Sequence, residues 1–234
     1  MLLHYLSHCT VVLSLSGSES FPDLIEDTVV EDLKMNNRED LLDHLSATGS
    51  PQDVQEWQYN ALVIAFWFMK YDEAAEWATK YIDLRGPSEV FLRLSDVYIS
   101  LYEGLTAFQL AKRCESQEER NSWIEIVQRS IDFFEGLLKL SVWNWDNKHL
   151  LLQASMRFLS GDIQSATVHY QAAIKSANEH RFVHEEGLGY ELLSDLYMHS
   201  GDIEQAKKNL ASARICYEKW GAKAIIDLRA PVQD

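Results

Sequence analysis

The residues best placed by type and spacing to do chemistry are His180 and His184, four positions apart, with Glu185 beside the second. On one continuous helix that spacing puts two ring nitrogens on a single face, as a zinc site needs. The order Glu179-His180-Arg181-Phe182-Val183-His184 is not His-Glu-x-x-His, so it lacks the positioned base of a metalloprotease. Structural zinc normally takes four ligands, and at most three are within reach here. The segment also falls where one repeat passes into the next, which argues against an unbroken helix. A metal-dependent hydrolase using His180 and His184 is therefore the weaker reading, and no metal or cofactor is assigned.

Other catalytic classes find less support. No Gly-Lys-Ser or Gly-Lys-Thr occurs, and the glycines are scattered at helix ends, so a Walker-type nucleotide site is excluded. Many serines stand at helix starts, where capping accounts for them. The acidic pairs Glu118-Glu119 and Glu185-Glu186 fit first helical turns, which the helix dipole favours. No catalytic residue emerges, and the chain reads as a non-enzyme.

The elements that would position any site are set by a duplication. Ser160-Gly161-Asp162-Ile163 returns as Ser200-Gly201-Asp202-Ile203, an offset of 40, and the match runs on through Ala166/Ala206, Ala173/Ala213 and Ala177/Tyr217. Apolar or small residues at steps of three and four (Ile163, Ala166, Tyr170, Ala173, Ala177) define one helical face. Upstream, Leu151, Leu152, Ser155, Met156 and Leu159 define a preceding helix, paralleled by Glu191, Leu192, Asp195, Leu196 and His199. Glycine takes the left-handed conformation that ends a helix, and aspartate caps the next one. Such a helix-turn-helix unit must stack on copies to bury its apolar face. It resembles the tetratricopeptide class, which implies an all-α solenoid of stacked antiparallel helix pairs.

Before the duplication, Ser50-Pro51-Gln52-Asp53 opens a helix rich in aromatics (Trp57, Tyr59, Phe66, Trp67, Phe68). Ala74, Trp77, Ala78 and Tyr81 then form a second, small-residue helix. Gly86-Pro87-Ser88 begins another through Val97 and Leu101. Gly104-Leu105-Thr106-Ala107 with Leu110 and Ala111 reads as its second helix. Ser116 followed by Glu119 matches a capping box at the head of a long helix reaching Leu140. Trp143 to Asn147 reads as the turn into the duplicated region. The tryptophans at helical spacing (Trp57, Trp67, Trp77, Trp123, Trp220) are expected to be core or inter-repeat packing, with a minority facing a concave groove. The expected organisation is an acidic helical lead-in over 1–49, a truncated repeat, followed by one array over 50–234.

Composition narrows the partners. With 21 basic and 36 acidic residues the net charge is −15, a field that repels phosphate backbones and anionic lipid headgroups. Nucleic acid and membrane surfaces are thus excluded as partners. The acid is uneven: residues 1–50 hold nine acids and two bases, whereas 201–234 hold five and six. Cys9, Cys114 and Cys216 are odd in number and far apart, which suits reduced core thiols. The apolar start lacks Lys or Arg, and His4 and His8 interrupt it, so a signal peptide is disfavoured. Leu2, Leu6, Cys9 and Leu13 fit a helical stripe instead, the second half of a hairpin whose first half is missing. A cytoplasmic location is the expectation.

Four stretches carry a closer likeness: Trp143-Asn144-Trp145-Asp146-Asn147-Lys148, Leu150-Leu151-Leu152-Gln153-Ala154, His184 through Glu191, and Ala213 through Ala224 with its Tyr-x-x-Trp-Gly-Ala-x-Ala ending. They resemble the tetratricopeptide-like region of very large signalling proteins that combine a protein-kinase-like module, a predicted AAA-type ATPase, this helical array and often a sensor histidine kinase. Against that family, Gly187 and Gly189 stand where a small alanine is usual, a departure expected to loosen the helix. The kinase and ATPase signatures have no counterpart here, so neither activity carries over. The resemblance implies a signal-relay or assembly scaffold binding a protein or peptide in its groove. The alternative is a segment that regulates an adjacent ATPase or kinase in cis.

Overall fold

A computed structural model describes Leu15, residues 51–85 and residues 93–229. The expectations for the lead-in over 1–49, including its N-terminal stripe and Cys9, and for Gly86-Pro87-Ser88 lie outside the described residues. Among the described residues there is no strand. Nine helices are described: α1 (Pro51–Trp67), α2 (Tyr71–Arg85), α3 (Leu94–Arg113), α4 (Gln117–Leu138), α5 (Val142–Leu159), α6 (Ile163–Glu179), α7 (Val183–Ser200), α8 (Ile203–Trp220) and the short α9 (Lys223–Leu228). None is long and apolar enough to cross a membrane. The described residues fall into two compact units, one comprising Leu15 and those within 51–99 together with 222–229, the other residues 100–221.

In the first unit, α1 and α2 pack against each other. Ala74 and Ala78 are buried on α2, and their small size lets the backbones close over Leu62 and Phe66. A polar network ties in the start of α3. The Tyr81 hydroxyl donates to Asp96 Oδ1 at 2.6 Å, the Arg93 amide donates to Asp96 Oδ2 at 2.7 Å, and the Arg93 guanidinium donates to Gln55 Oε1 at 2.6 Å. Burial, and next the bond to Asp96, push the Tyr81 phenol well above its usual range, so it stays a donor. Arg229, after α9, donates to the Trp67 carbonyl at 3.3 Å.

The second unit repeats one construction. Ser155 of α5 meets Tyr170 of α6 at 3.1 Å, and Ser194 of α7 donates to the Ala206 carbonyl of α8 at 2.7 Å. In each pair the contact joins residues nearly equidistant from the intervening turn, as antiparallel partners require. Arg129 and Glu103 join α4 to α3 in the same sense at 2.5 Å. The first helices also neighbour one another in parallel: Phe108 of α3 lies 5.6 Å from Phe158 of α5, which lies 5.1 Å from His199 of α7. Fully buried Leu151, Leu152, Leu188 and Leu196 fill the space between, each contributing about 1.5–3 kcal/mol.

The turns share one backbone solution. Gly161, Gly201 and Gly221 have φ of 80°, 84° and 82°. Each glycine amide bonds three residues back, and the following Asp162 and Asp202 amides bond five residues back, to Arg157 and Tyr197. These are Schellman closures. Asp162 and Asp202 then accept from Ser165 N at 3.0 Å and Gln205 N at 3.1 Å, as the duplicated Gly-Asp predicts. The α6–α7 turn uses the same geometry with Arg181 at φ 63°, so the left-handed residue recurs every 20 positions, at 161, 181, 201 and 221.

Two local expectations are corrected. Residues 94–113 form one helix, not a hairpin: Gly104 sits inside α3, where an added Cβ would stand 2.7 Å from Leu152 and 2.8 Å from Ser130. That glycine serves close packing and ends nothing. Trp143 to Asn147 belong to the first turns of α5, capped by Ser141, whose Oγ accepts from Asn144 N at 3.4 Å. Ser116 caps α4 by accepting from Glu119 N at 3.4 Å, as its spacing predicts.

Candidate functional site

The turn at Arg181 decides the fate of the two histidines. It ends α6 at Glu179 and restarts the helix at Val183, so His180 caps the end of α6 while His184 sits on α7. The His180 ring lies 5.0 Å from Trp143, while His184 stacks on Trp220 at 5.3 Å with 30° between the planes. Among the described residues no group of three or more His, Cys, Asp or Glu is placed to hold a metal ion.

What gathers instead is a buried charge node. Lys148 of α5 and Glu185 of α7 have side chains 1 % and 2 % exposed, with Nζ 2.8 Å from Oε2. Asn147 donates to the same oxygen at 2.5 Å, and the ammonium also donates to the Asn144 carbonyl at 3.0 Å. Phe182 covers the ammonium, its ring centroid 4.1 Å away. His184 Nε2 stands 3.5 Å from Oε1, too far for a strong hydrogen bond.

Burial by itself would raise the Glu185 carboxyl. The His184 ring and the Lys148 ammonium outweigh it and hold the group at about 2. Burial pulls the Lys148 ammonium below its ordinary value, against the opposing pull of Glu185. The pair is shut off from any reactant, so its consequence is to lock α5 to α7. The sequence reading placed Glu185 in a first turn, which is correct, but gave no sign of its partner 37 positions away.

Three of the four stretches that resemble the signalling-protein family meet around this node. The stretch over 143–148 supplies Asn147 and Lys148, that over 184–191 supplies His184, Glu185 and Gly187, and that over 213–224 supplies Tyr217 and Trp220. Gly187 is where α7 and α8 touch: a Cβ there would stand 2.7 Å from the Tyr217 ring and 3.0 Å from Cys216 Cβ. At Gly189 a Cβ would stand 2.7 Å from Ile174 of α6. Helix α7 runs unbroken through both. The expected loosening is therefore replaced by a close approach on each side.

One open groove of about 530 Å³ lies along α7, walled by α6 and α8. Tyr190, Leu193 and Tyr197 of α7 form its floor. Gln171, Lys175 and Asn178 stand on one wall, and Gln205, Lys208 and Ser212 on the other. No Asp or Glu lines it. Lys175 and Lys208 are both exposed. Lys175 Nζ is 3.8 Å from Glu179, an exposed pair that is worth little in water. Its floor comes from α7, the first helix of a pair, and its walls from the second helices α6 and α8. No tryptophan lines it: Trp67 and Trp77 are buried, and Trp57, Trp123 and Trp220 are half-buried. The lysine positions are visible in the sequence, but only the packing of α6 and α8 across α7 brings them to one opening.

Compared with known proteins, the chain matches no protein-family model and no curated protein.

Proposed function

We propose that this chain is a non-catalytic, tetratricopeptide-like helical-repeat module that binds a segment of a partner protein in the groove over α7. The observation that carries the reading is the groove itself, an open channel lined from three successive helices by amides, hydroxyls and lysines around the Leu193 floor. A peptide lying there would satisfy its backbone groups on Gln171 and Gln205 and set an apolar side chain on Leu193. The polar groups with the most perturbed ionisation, Tyr170, Tyr81 and Glu185, are buried and engaged in holding helices together. That favours binding over turnover. Stacked pairs with equal turns keep such a channel rigid, which lowers the entropic cost of binding.

The test is selection of random 15-residue peptides displayed on phage against the full chain, followed by hydrogen-exchange footprinting of the enriched peptides. Protection on facing parts of α6, α7 and α8, lost in Ser212→Trp, is expected. Enriched peptides that protect other helices would overturn the reading, as would no enrichment above a blank support.

A further inference from the structure

We infer that the occupant of this groove is an acidic segment, one carrying Asp or Glu side chains that reach Lys175 and Lys208. The inference rests on the groove being a binding site and adds the chemistry of what enters it. The chain as a whole carries 36 acids to 21 bases, yet the groove carries two lysines and no acid. In so acidic a chain, a lining with lysines and no acid is a local reversal of sign; the acids bonded to it, Glu179 on Lys175 and Glu186 on Asn178, stand outside that lining.

At physiological salt, charges beyond about 8 Å are largely screened, so an entering peptide meets the groove's own charges and little of the distant acidic surface. The lysines stand on opposite walls, Lys175 on α6 and Lys208 on α8, with the Tyr190 and Tyr197 rings between them on the floor. Carboxylates therefore find an ammonium on either side, while the hydroxyls and amides accept or donate to the peptide backbone. Burial, and after it Glu186, push the Tyr190 phenol above its ordinary value, so the floor adds no negative charge. A basic segment would meet the Lys208 ammonium on one wall and Lys175, beside Glu179, on the other, and like-charge juxtaposition is an effective barrier to wrong partners.

The experiment runs the peptide selection in parallel on the native chain and on Lys175→Glu/Lys208→Glu, with Lys175→Gln/Lys208→Gln as a milder variant. Both lysines are exposed on helices, and circular dichroism melts verify that the variants fold. Peptides selected on the native chain should be rich in Asp and Glu and bind more weakly at higher salt. They should bind the Glu double variant at least tenfold more weakly and the Gln variant several-fold more weakly. The Glu variant should select a pool without the acid excess. Groove-footprinting peptides with no acid excess, or with affinity unchanged in both variants, would overturn this inference and leave the binding site standing. Peptides with no footprint in the groove would remove both.

Discussion

Lys148 and Glu185 face each other at 2.8 Å across the α5–α7 boundary, both withdrawn from water, with Asn147 on the same carboxylate oxygen. Such a pair gains little over two well-packed apolar side chains, because both ions must be desolvated. Breaking it is a different matter.

Glu185→Ala should cost about 3–5 kcal/mol, since it strands a buried ammonium. Lys148→Met/Glu185→Leu should recover most of that loss. Urea denaturation of Lys148→Met, Glu185→Leu and the double variant measures the coupling directly. A single-variant loss under about 1 kcal/mol would show that the node does not hold α5 to α7.

The same carboxyl sets an acid sensitivity. Its folded value of about 2 lies below the ordinary 4.5 of a glutamate carboxyl, so its contribution is complete above about pH 4.5 and drains away as pH falls toward 2. Glu185→Gln lacks that titration. The stability gap between native chain and Glu185→Gln should narrow over this window, by on the order of 3 kcal/mol. Parallel curves down to pH 2.5 would contradict the assignment.

Two glycines in helix interiors should respond oppositely to alanine. At Gly136 of α4 an added Cβ meets nothing within 4 Å, so Gly136→Ala should stabilise by up to about 1 kcal/mol through helix propensity. At Gly187 the methyl would press on Tyr217 and Cys216, and Gly187→Ala should destabilise by about 1–3 kcal/mol. Thermal melts of the two variants decide it; a stabilising Gly187→Ala would refute the close approach of α7 to α8.

Arg181 holds a left-handed conformation that costs an ordinary side chain about 1–2 kcal/mol. Arg181→Gly should raise stability by about that amount, and Gly201→Ala should lower it by a similar one. Unchanged melting in Arg181→Gly would mean that the turn is held by the side chain and not by its backbone.

The sequence exposed the parts of this fold that are local. Gly161-Asp162 and Gly201-Asp202 announce their turns because only certain residues take a left-handed cap and only certain side chains receive the next amides. The turn at Arg181 carries neither sign, so it showed only as a doubtful helix junction. Gly104 misled in the other direction: read as the head of a second helix, it lies inside α3 because the constraint comes from Ser130 and Leu152 on other helices. The site was harder still. Lys148 with Glu185, and Lys175 with Lys208, are relationships between helices, and no single helix's periodicity contains them. What did show was the cluster of familiar stretches, three of which, with no evident link, converge on one node.

The left-handed residue recurring every twenty positions has a bearing on how such a chain changes length. Between Gly161 and Gly201 lies a complete hairpin bounded by interchangeable joints, so a copy of residues 162–201 spliced in after Gly201 would present its neighbours with the faces they already meet. Growth by whole hairpins leaves the geometry undisturbed, whereas insertion of a few residues within a helix would rotate everything downstream.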